Sequence, residues 1–243
     1  MHSTLLKKHG LNNQIFGCPY NFRYQTMKEK IIDQVNEAVE KMDISPLEVY
    51  SCHQQHTGQV VYADGMNGNA FICGRIFDNS DGLITDKEDI ALFVKFADCT
   101  PIVLYDPVQR VQAIVHSGWR GTAQRISHNA LNQMIENHDC QLEDIIAFVG
   151  PSIDQENYEV GPEVYEAFKD FKNRDTFFKP KGNKYLLDMN MANVTLLKQV
   201  GITEDRMEID YTSTYNDDRL HSARKEGSTY QLNAMFTIMP SKK

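Results

Sequence analysis

Residues 96–122 read Phe-Ala-Asp-Cys-Thr-Pro-Ile-Val-Leu-Tyr-Asp-Pro-Val-Gln-Arg-Val-Gln-Ala-Ile-Val-His-Ser-Gly-Trp-Arg-Gly-Thr. Two runs rich in β-branched residues flank Asp106-Pro107, a dipeptide typical of turns. The pattern therefore predicts an antiparallel hairpin, which we expect to pair Tyr105 with Val111.

Outside this hairpin, strand-like and helical patterns alternate irregularly along the chain. Thr26-Met-Lys-Glu29 forms a capping box, which predicts a helix that ends before Pro46. Three further helices are predicted from Thr122 to about Asn137 with Ile135 on the inner face, from Pro162, and from the cap Asp188 to Gly201. Further strands are expected at 48–52, 59–62, 91–96 and 145–149. The irregular order favours a mixed-sheet α/β (α+β) fold over a doubly wound one.

Composition narrows the class of protein. The 243 residues include 33 Asp and Glu against 25 Lys and Arg, a formal charge of −8 without a basic stripe, so nucleic acid is not an expected partner. No apolar run approaches the ~20 residues of a membrane helix, and the start lacks the apolar core of a signal peptide, so a cytoplasmic protein without membrane contact is expected. Five cysteines without CxxC spacing predict reduced thiols. No repeat or linker interrupts the chain, and we expect a single catalytic domain over 1–243, as a monomer or homodimer.

The expected pairing has a chemical consequence, because it places Thr100 opposite His116 and so makes Cys99 a neighbour of His116. Opposed side chains in a hairpin lie about 5 Å apart at Cβ. Cys99 is then a buried apolar residue, a nucleophile that His116 deprotonates for acyl transfer, or, with His116, a ligand of zinc. A catalytic zinc requires one more protein ligand and an open position.

The third ligand is sought among the remaining histidines, since the chain has no dinucleotide, P-loop, zincin or α/β-hydrolase motif. Cys52-His-Gln-Gln-His56 offers two candidates. His56 lies at the expected end of a strand and His53 three residues earlier, and the spacing does not choose between them.

The loop that follows His116 has an anion-binding character. Ser117-Gly-Trp-Arg-Gly121 leads into the helix expected at Thr122, so free backbone N–H groups and Arg120 converge there. Phosphate is one expected occupant. The alternative is an ordinary helix entry with a solvated Arg120 and a Trp packed on the core.

Several blocks together resemble one family, long labelled polyphenol oxidase or laccase-like and more recently described as zinc-dependent purine nucleoside phosphorylases. The resemblance spans roughly residues 50–225 and rests on blocks that occur in the family's order. These are His56 in its Gln-x-His block, Asp81-Gly-Leu-Ile-Thr85, Ala97-Asp-Cys-Thr-Pro101, Tyr105-Asp-Pro107, Val115-His-Ser-Gly-Trp-Arg-Gly121, Gly150-Pro-Ser-Ile153, Tyr158-Glu-Val-Gly161 and Leu187-Asp-Met-Asn-Met-Ala-Asn193.

The resemblance implies zinc held by His56, Cys99 and His116, with copper as the second choice of metal. It implies a sandwich of two mixed β-sheets flanked by helices. The implied reactions are phosphorolysis of adenosine, inosine, guanosine and S-methyl-5′-thioadenosine, and deamination of adenosine. Cys99 and His116 are then catalytic as well as metal ligands, Asp98 is expected to handle protons, and Arg120 to bind substrate.

The chain departs from the family pattern near both termini. The C-terminal block reads Leu220-His-Ser-Ala-Arg-Lys225 and lacks the family's second arginine, so Arg224 is the substrate-binding arginine expected there. Two other activities stay open: a Cys/His or zinc hydrolase or amidase acting on peptidoglycan precursors, and a copper-dependent polyphenol oxidase. The chain's 8 histidines, with no His-x-His pair, do not supply a multicopper site.

Overall fold

The computed structural model describes residues 1–242, and its fifteen strands form most of the core. They are β1 Asn12–Phe16, β2 Glu48–His53, β3 Val60–Tyr62, β4 Asn69–Phe71, β5 Gly74–Asp78, β6 Gly82–Thr85, β7 Ile90–Phe96, β8 Thr100–Asp106, β9 Val111–Ser117, β10 Ile146–Val149, β11 Glu159–Val160, β12 Phe178–Lys181, β13 Lys184–Leu187, β14 Met207–Ile209 and β15 Asn233–Ile238.

Eight α-helices and several single 3₁₀ turns connect the strands within the described residues. The helices are α1 Thr4–Lys8, α2 Tyr24–Met27, α3 Ile31–Lys41, α4 Trp119–Ala123, α5 Ile126–His138, α6 Pro162–Ala167, α7 Met189–Gln199 and α8 Ala223–Glu226. None of these helices has the length and apolar character that crossing a membrane requires.

Two six-stranded mixed sheets form the sandwich that was predicted. The first has the order β1-β15-β7-β2-β5-β4 and the second the order β14-β10-β8-β9-β6-β3, and a three-stranded sheet, β11-β13-β12, lies apart from them. Tyr50 and Leu92 of the first sheet share one buried cluster with Val103 and Ile114 of the second, so the inner faces pack together. Helix α3 covers the outer face of the first sheet, and α5 and α7 cover that of the second.

The predicted hairpin exists as β8 and β9, but its register differs from the expectation by one residue. Tyr105 faces Gln112, Asp106 faces Val111, and Pro101 rather than Thr100 faces His116. The expected pairing assumed a five-residue loop. In the structure Asp106 still pairs, because its carboxylate accepts the backbone N–H groups at the start of the turn and a four-residue loop closes at a left-handed Arg110.

The capping box at Thr26 was wrong. The Thr26 hydroxyl donates to the carbonyl oxygen of Arg23, 3.0 Å away, within the short helix α2. Lys28 has a φ of +51°, which ends that helix, and after a 3₁₀ turn the long helix starts at Ile31. A left-handed residue breaks the i to i−4 ladder, which a periodic pattern of apolar residues does not reveal.

The helix expected from Thr122 was also wrong in its start. Thr122 lies inside α4, where its hydroxyl donates to the carbonyl oxygen of Gly118, and a left-handed Arg125 separates α4 from α5. Ile135 is 39% exposed instead of facing inward. Two helix starts were confirmed: Pro162 occupies the first turn of α6, and the Asp188 carboxylate caps α7 by accepting from the backbone of Met191.

Candidate metal centre and substrate cavity

His56, Cys99 and His116 come together from three segments: the turn after a strand of the first sheet, and the ends of two neighbouring strands of the second sheet. Cys99 directly precedes β8, His116 is the penultimate residue of β9, and His56 lies in the turn after β2 with a φ of +60°. One ligand atom from each residue lies within 4.8 Å of the others. The Sγ of Cys99 is 3.8 Å from Nε2 of His56. These three side chains can therefore hold a metal ion, and among residues 1–242 they are the one group of three or more such ligands.

The charges at this cluster favour a thiolate. Burial opposes ionisation of Cys99, but the neighbouring His116 and His56 outweigh it and lower the pKa of the thiol to about 6. Burial likewise opposes protonation of His116, whereas Cys99 and Asp81 raise its pKa to about 9. Each of these two side chains therefore stabilises the charged form of the other. A divalent cation bound there replaces the proton that this pair shares.

The carboxylate of Asp81 is fully buried beneath the two histidines. Its Oδ1 accepts from Nδ1 of His116 and from the backbone N–H of His56, each at 2.9 Å. Its Oδ2 accepts from the backbone of Gln55 and of Thr57. Burial alone raises the pKa of this carboxyl, but the bonds from His116 and the loop amides lower it to about 2. Because a carboxylate only accepts, Nδ1 of His116 carries its proton and Nε2 is left for a metal.

Gly118 follows β9 and lets the backbone pass close to the cluster. A Cβ atom built on Gly118 would lie 2.7 Å from Cδ2 of His56 and 2.8 Å from Sγ of Cys99. Such distances are shorter than van der Waals contact, so any larger residue would displace two of the three ligands. This requirement explains the glycine in the segment Ser117-Gly-Trp-Arg.

A cavity of about 740 Å³ opens on the metal-type cluster. All of the site residues expected from the sequence line it, namely His56, Asp98, Cys99, His116, Arg120 and Arg224. Aromatic rings form much of the remaining wall, contributed by Phe22, Tyr24, Phe71, Phe93, Trp119, Tyr158 and Tyr230. The volume lies within the range of pockets that bury drug-sized ligands.

The two arginines differ in how their guanidinium groups are held. Arg120 lies over the Trp119 ring, 4.2 Å from its centroid, and makes no side-chain hydrogen bond or ion pair within the described chain. Arg224 lies 5.3 Å from the centroid of the Tyr158 ring, and its Nη2 donates to the carbonyl oxygen of Glu159 at 3.1 Å. Arg120 is the freer of the two donors.

Asp98 is held more tightly than a free acid–base group. Its Oδ1 accepts from the hydroxyl of Thr214 at 2.7 Å, and its Oδ2 accepts from the backbone N–H of Arg224 at 2.7 Å. Asp98 thus ties the Cys99 segment to the start of α8. Its role in proton transfer stays a prediction.

Sequence reasoning missed three contributors to the site. Asp81 and Tyr158 stand in blocks that carried the family resemblance, but neither received a role, and Gly118 was seen only as part of a loop. A signal for Asp81 was available in its position just before a strand that pairs with the one carrying His116. The walls from residues 22–25 and 230–232 come from the two ends of the chain, which no local pattern joins.

The sequence profile of a family described as "Multi-copper polyphenol oxidoreductase laccase" matches residues 2–238. The chain belongs to this family. The family's description mentions copper, but the match itself does not identify the metal that His56, Cys99 and His116 would bind.

Relatives of this family member carry other names. It is 35% identical over 153 residues to a purine nucleoside phosphorylase of Bacteroides thetaiotaomicron, covering 60% of this chain and 56% of that one. It is 36% identical over 151 residues to adenosine deaminase RL5 of an unknown prokaryotic organism, covering 60% and 57%. The matches thus span less than two thirds of these relatives. The crystal structure of YlmD from Geobacillus stearothermophilus has the same fold, with a TM-score of 0.86 and 22% identity over 98% of this chain and 94% of that one.

Proposed function

We propose that this protein is a zinc-dependent purine nucleoside phosphorylase that also deaminates adenosine. The observation that carries the proposal is that the cluster of two histidines and Cys99 opens on the cavity that Arg120 also lines. The guanidinium of Arg120 makes no hydrogen bond or ion pair with another side chain among the described residues. A set of metal ligands and a side chain that can bind an anion, placed in one cavity, suit a reaction between phosphate and a neutral organic substrate. The names of relatives at 35% and 36% identity support both activities.

Zinc suits the donor set of His56, Cys99 and His116. A thiolate with two imidazoles matches a borderline-soft divalent ion, and three protein ligands are the number typical of catalytic zinc. When bound, zinc supplies a Lewis acid that polarises substrate or lowers the pKa of water. The protein's own contribution is to hold the three ligands in place on the wall of the cavity.

Phosphate is the proposed ligand of Arg120. A guanidinium group presents a planar fork that binds phosphate oxygens in pairs, and stacking on Trp119 keeps that fork facing the cavity. Arg224 offers a second positive charge in the same cavity, although its Nη2 already donates to the carbonyl oxygen of Glu159. Together these charges favour an anion held against a bound sugar.

Purine nucleosides are the proposed partners on the neutral side of the cavity. Aromatic side chains such as Phe93, Tyr158 and Tyr230 offer faces on which a purine stacks, and the polar groups of the metal-ligand cluster line the same cavity. The cavity is large enough for a nucleoside together with phosphate. This fit supports the substrates inosine, adenosine, guanosine and S-methyl-5′-thioadenosine as a class, without ranking them.

The arrangement of ligands does not support a multicopper oxidase. A multicopper enzyme needs several adjacent metal groups, whereas residues 1–242 contain a single group of three candidate ligands. A hydrolase would use the same cavity with water in place of phosphate. The two reactions therefore differ in the molecule that accepts the sugar, which is phosphate in phosphorolysis and water in hydrolysis.

The test compares two reactions in one variant. Arg120→Ala should depress phosphorolysis of inosine about 10- to 100-fold while changing deamination of adenosine several-fold at most, because only phosphorolysis needs a bound anion. Arg125→Ala is the matched control, since Arg125 also stacks on an aromatic ring, that of Phe171, but does not line the cavity. Release of hypoxanthine with ribose as the product, at a rate independent of phosphate, would identify a hydrolase instead.

A further inference from the structure

Asp81 joins two of the candidate metal ligands through one side chain. The carboxylate accepts five hydrogen bonds: from Nδ1 of His116, from the backbone N–H groups of Gln55, His56 and Thr57, and from the hydroxyl of Thr57. The main chain of His116 is also tied to this residue, since its N–H donates to the carbonyl oxygen of Asp81 at 2.7 Å. Asp81 is thus in contact with both histidines and with the loop that carries His56.

The loop that carries His56 wraps around this carboxylate. Three successive backbone N–H groups point at Asp81, and His56 adopts a left-handed φ of +60° to allow it. Consecutive N–H groups that converge through a left-handed residue form an anion-binding concavity, here filled by a side chain of the same protein. A left-handed conformation costs free energy for a residue with a Cβ, so the bonds to Asp81 compensate for it.

We propose that Asp81 is the positioning residue of the metal centre, which sets both the conformation of the His56 loop and the ring nitrogen that His116 offers. The inference rests on the proposed metal-dependent function. Asp81 keeps the proton on Nδ1 of His116, which leaves the lone pair on Nε2, and it holds His56 in place before a metal ion arrives. The ligands are therefore arranged by the fold, and metal binding does not have to order the loop.

The substitution Asp81→Asn tests the hydrogen-bonding role of the carboxylate while keeping the size of the side chain nearly unchanged. An amide is nearly isosteric with the carboxylate, but its NH2 group cannot accept from His116 or from the loop amides, whichever way the amide is turned. We expect the affinity for Zn²⁺, measured by competition with a chromophoric chelator, to fall about 10- to 100-fold. The expected cause is a misplaced His56 and a His116 that is free to adopt the other tautomer.

Glu226→Gln is the matched control. Glu226 also contacts a histidine, with its Oε1 3.2 Å from Nδ1 of His221, and accepts from the backbone of Ser222 and Gln231, but it does not line the cavity. Removing its charge should leave Zn²⁺ affinity within about twofold. If both variants lose affinity equally, or if Asp81→Asn binds Zn²⁺ as the unaltered protein does, the role assigned to Asp81 is wrong.

A second measurement needs no variant and so does not depend on whether Asp81→Asn folds. Amide hydrogen exchange in the chelator-treated protein should show the N–H groups of Gln55, His56 and Thr57 protected to nearly the same extent as in the zinc-loaded protein. Rapid exchange of these amides without zinc would overturn the inference. A protein that binds no Zn²⁺ at any tested concentration would instead overturn the proposed metal centre, so the two failures are distinguishable.

Discussion

Two clusters within residues 1–242 each combine a cysteine, a histidine and a carboxylate, and of these two the first alone opens on the cavity. The first contains Cys99, His116 and Asp81, with His56 beside them. The second joins the N-terminal and C-terminal parts of the chain, where Sγ of Cys18 is 3.5 Å from Nδ1 of His221. That same Nδ1 is 3.2 Å from Oε1 of Glu226.

The two clusters differ in what each histidine nitrogen contacts. In the first, a carboxylate occupies Nδ1 of His116, and Nε2 is directed to the other ligands. In the second, Nε2 of His221 donates to the carbonyl oxygen of Tyr20 at 2.7 Å, so the remaining nitrogen faces Glu226 and Cys18. The same three residue types therefore form either a candidate metal site or a structural contact. The outcome depends on which histidine nitrogen is already hydrogen-bonded to the surrounding protein.

The thiols differ in the same direction. The pKa of Cys99 is lowered to about 6 because His116 and His56 outweigh the effect of burial. The pKa of Cys18 is raised above its usual value by partial burial and by the negative charge of Glu226. Two histidines thus lower the pKa of the Cys99 thiol, whereas burial and the charge of Glu226 raise that of Cys18.

The largest contrast is expected when each cysteine is removed in turn. Cys99→Ser should reduce the zinc content of the purified protein to background and abolish phosphorolysis, since a hydroxyl is a poor ligand at neutral pH. Cys18→Ser should retain about one zinc per chain. Elemental analysis of both variants checks this, and full zinc occupancy in Cys99→Ser would end the assignment.

The next contrast concerns the two histidines of the Cys52–His56 segment. His56→Ala should lose zinc, whereas His53→Ala should keep it, because His53 lies at the end of β2 and its Nδ1 is 3.4 Å from Asp78 instead of facing Cys99. Zinc titration followed by calorimetry measures both affinities. The opposite outcome would show that His53, and not His56, is the metal ligand.

A smaller effect is expected from one added methyl group. Gly118→Ala should weaken zinc binding about 10-fold or more, because its Cβ would push against His56 and Cys99. Gly182→Ala is the control: its φ of +61° makes alanine unfavourable by about 1 kcal/mol, but no atom lies within 4 Å of the added Cβ. The control should lower the free energy of unfolding and leave zinc affinity intact. Unchanged zinc affinity in Gly118→Ala would contradict the packing described at the cluster.

The smallest effect is a difference in pH profile rather than in rate. In chelator-treated protein, alkylation of Cys99 should rise with pH to a midpoint near 6, since the reactive thiolate forms above the pKa. Alkylation of Cys18 should rise only at a higher pH than that of an ordinary thiol, because its pKa is raised by burial and by Glu226. Peptide mapping after iodoacetamide treatment at each pH separates the two. Coincident midpoints would mean that the environments of the two thiols do not differ as described.

Much of the fold was accessible from the sequence because both main sheets leave clear patterns. Strands β7, β8 and β9 are nearly continuous apolar runs, as expected for strands buried on both faces, and the Asp106-Pro107 turn located the hairpin. The register was missed by one residue because the turn length depends on hydrogen bonds from the Asp106 side chain to the backbone. Such bonds have no periodic signature.

The site was predicted in part. Cys99 and His116 followed from the hairpin, whereas His56 was chosen over His53 through the family resemblance alone. Asp81 escaped because its partners are mainly backbone N–H groups, which every residue carries. The helix breaks at Lys28 and Arg125 escaped because a left-handed φ at a residue other than glycine is set by tertiary packing.

X-ray absorption at the zinc edge of the purified protein tests the central claim most directly. The account predicts about one zinc per chain, with one sulfur at about 2.3 Å and two imidazole nitrogens at about 2.0 Å, the remaining position being filled by a lighter atom. Cys18→Ser should give the same spectrum. A shell without sulfur, a sulfur signal that disappears in Cys18→Ser, or copper as the bound metal would contradict a zinc centre built from His56, Cys99 and His116.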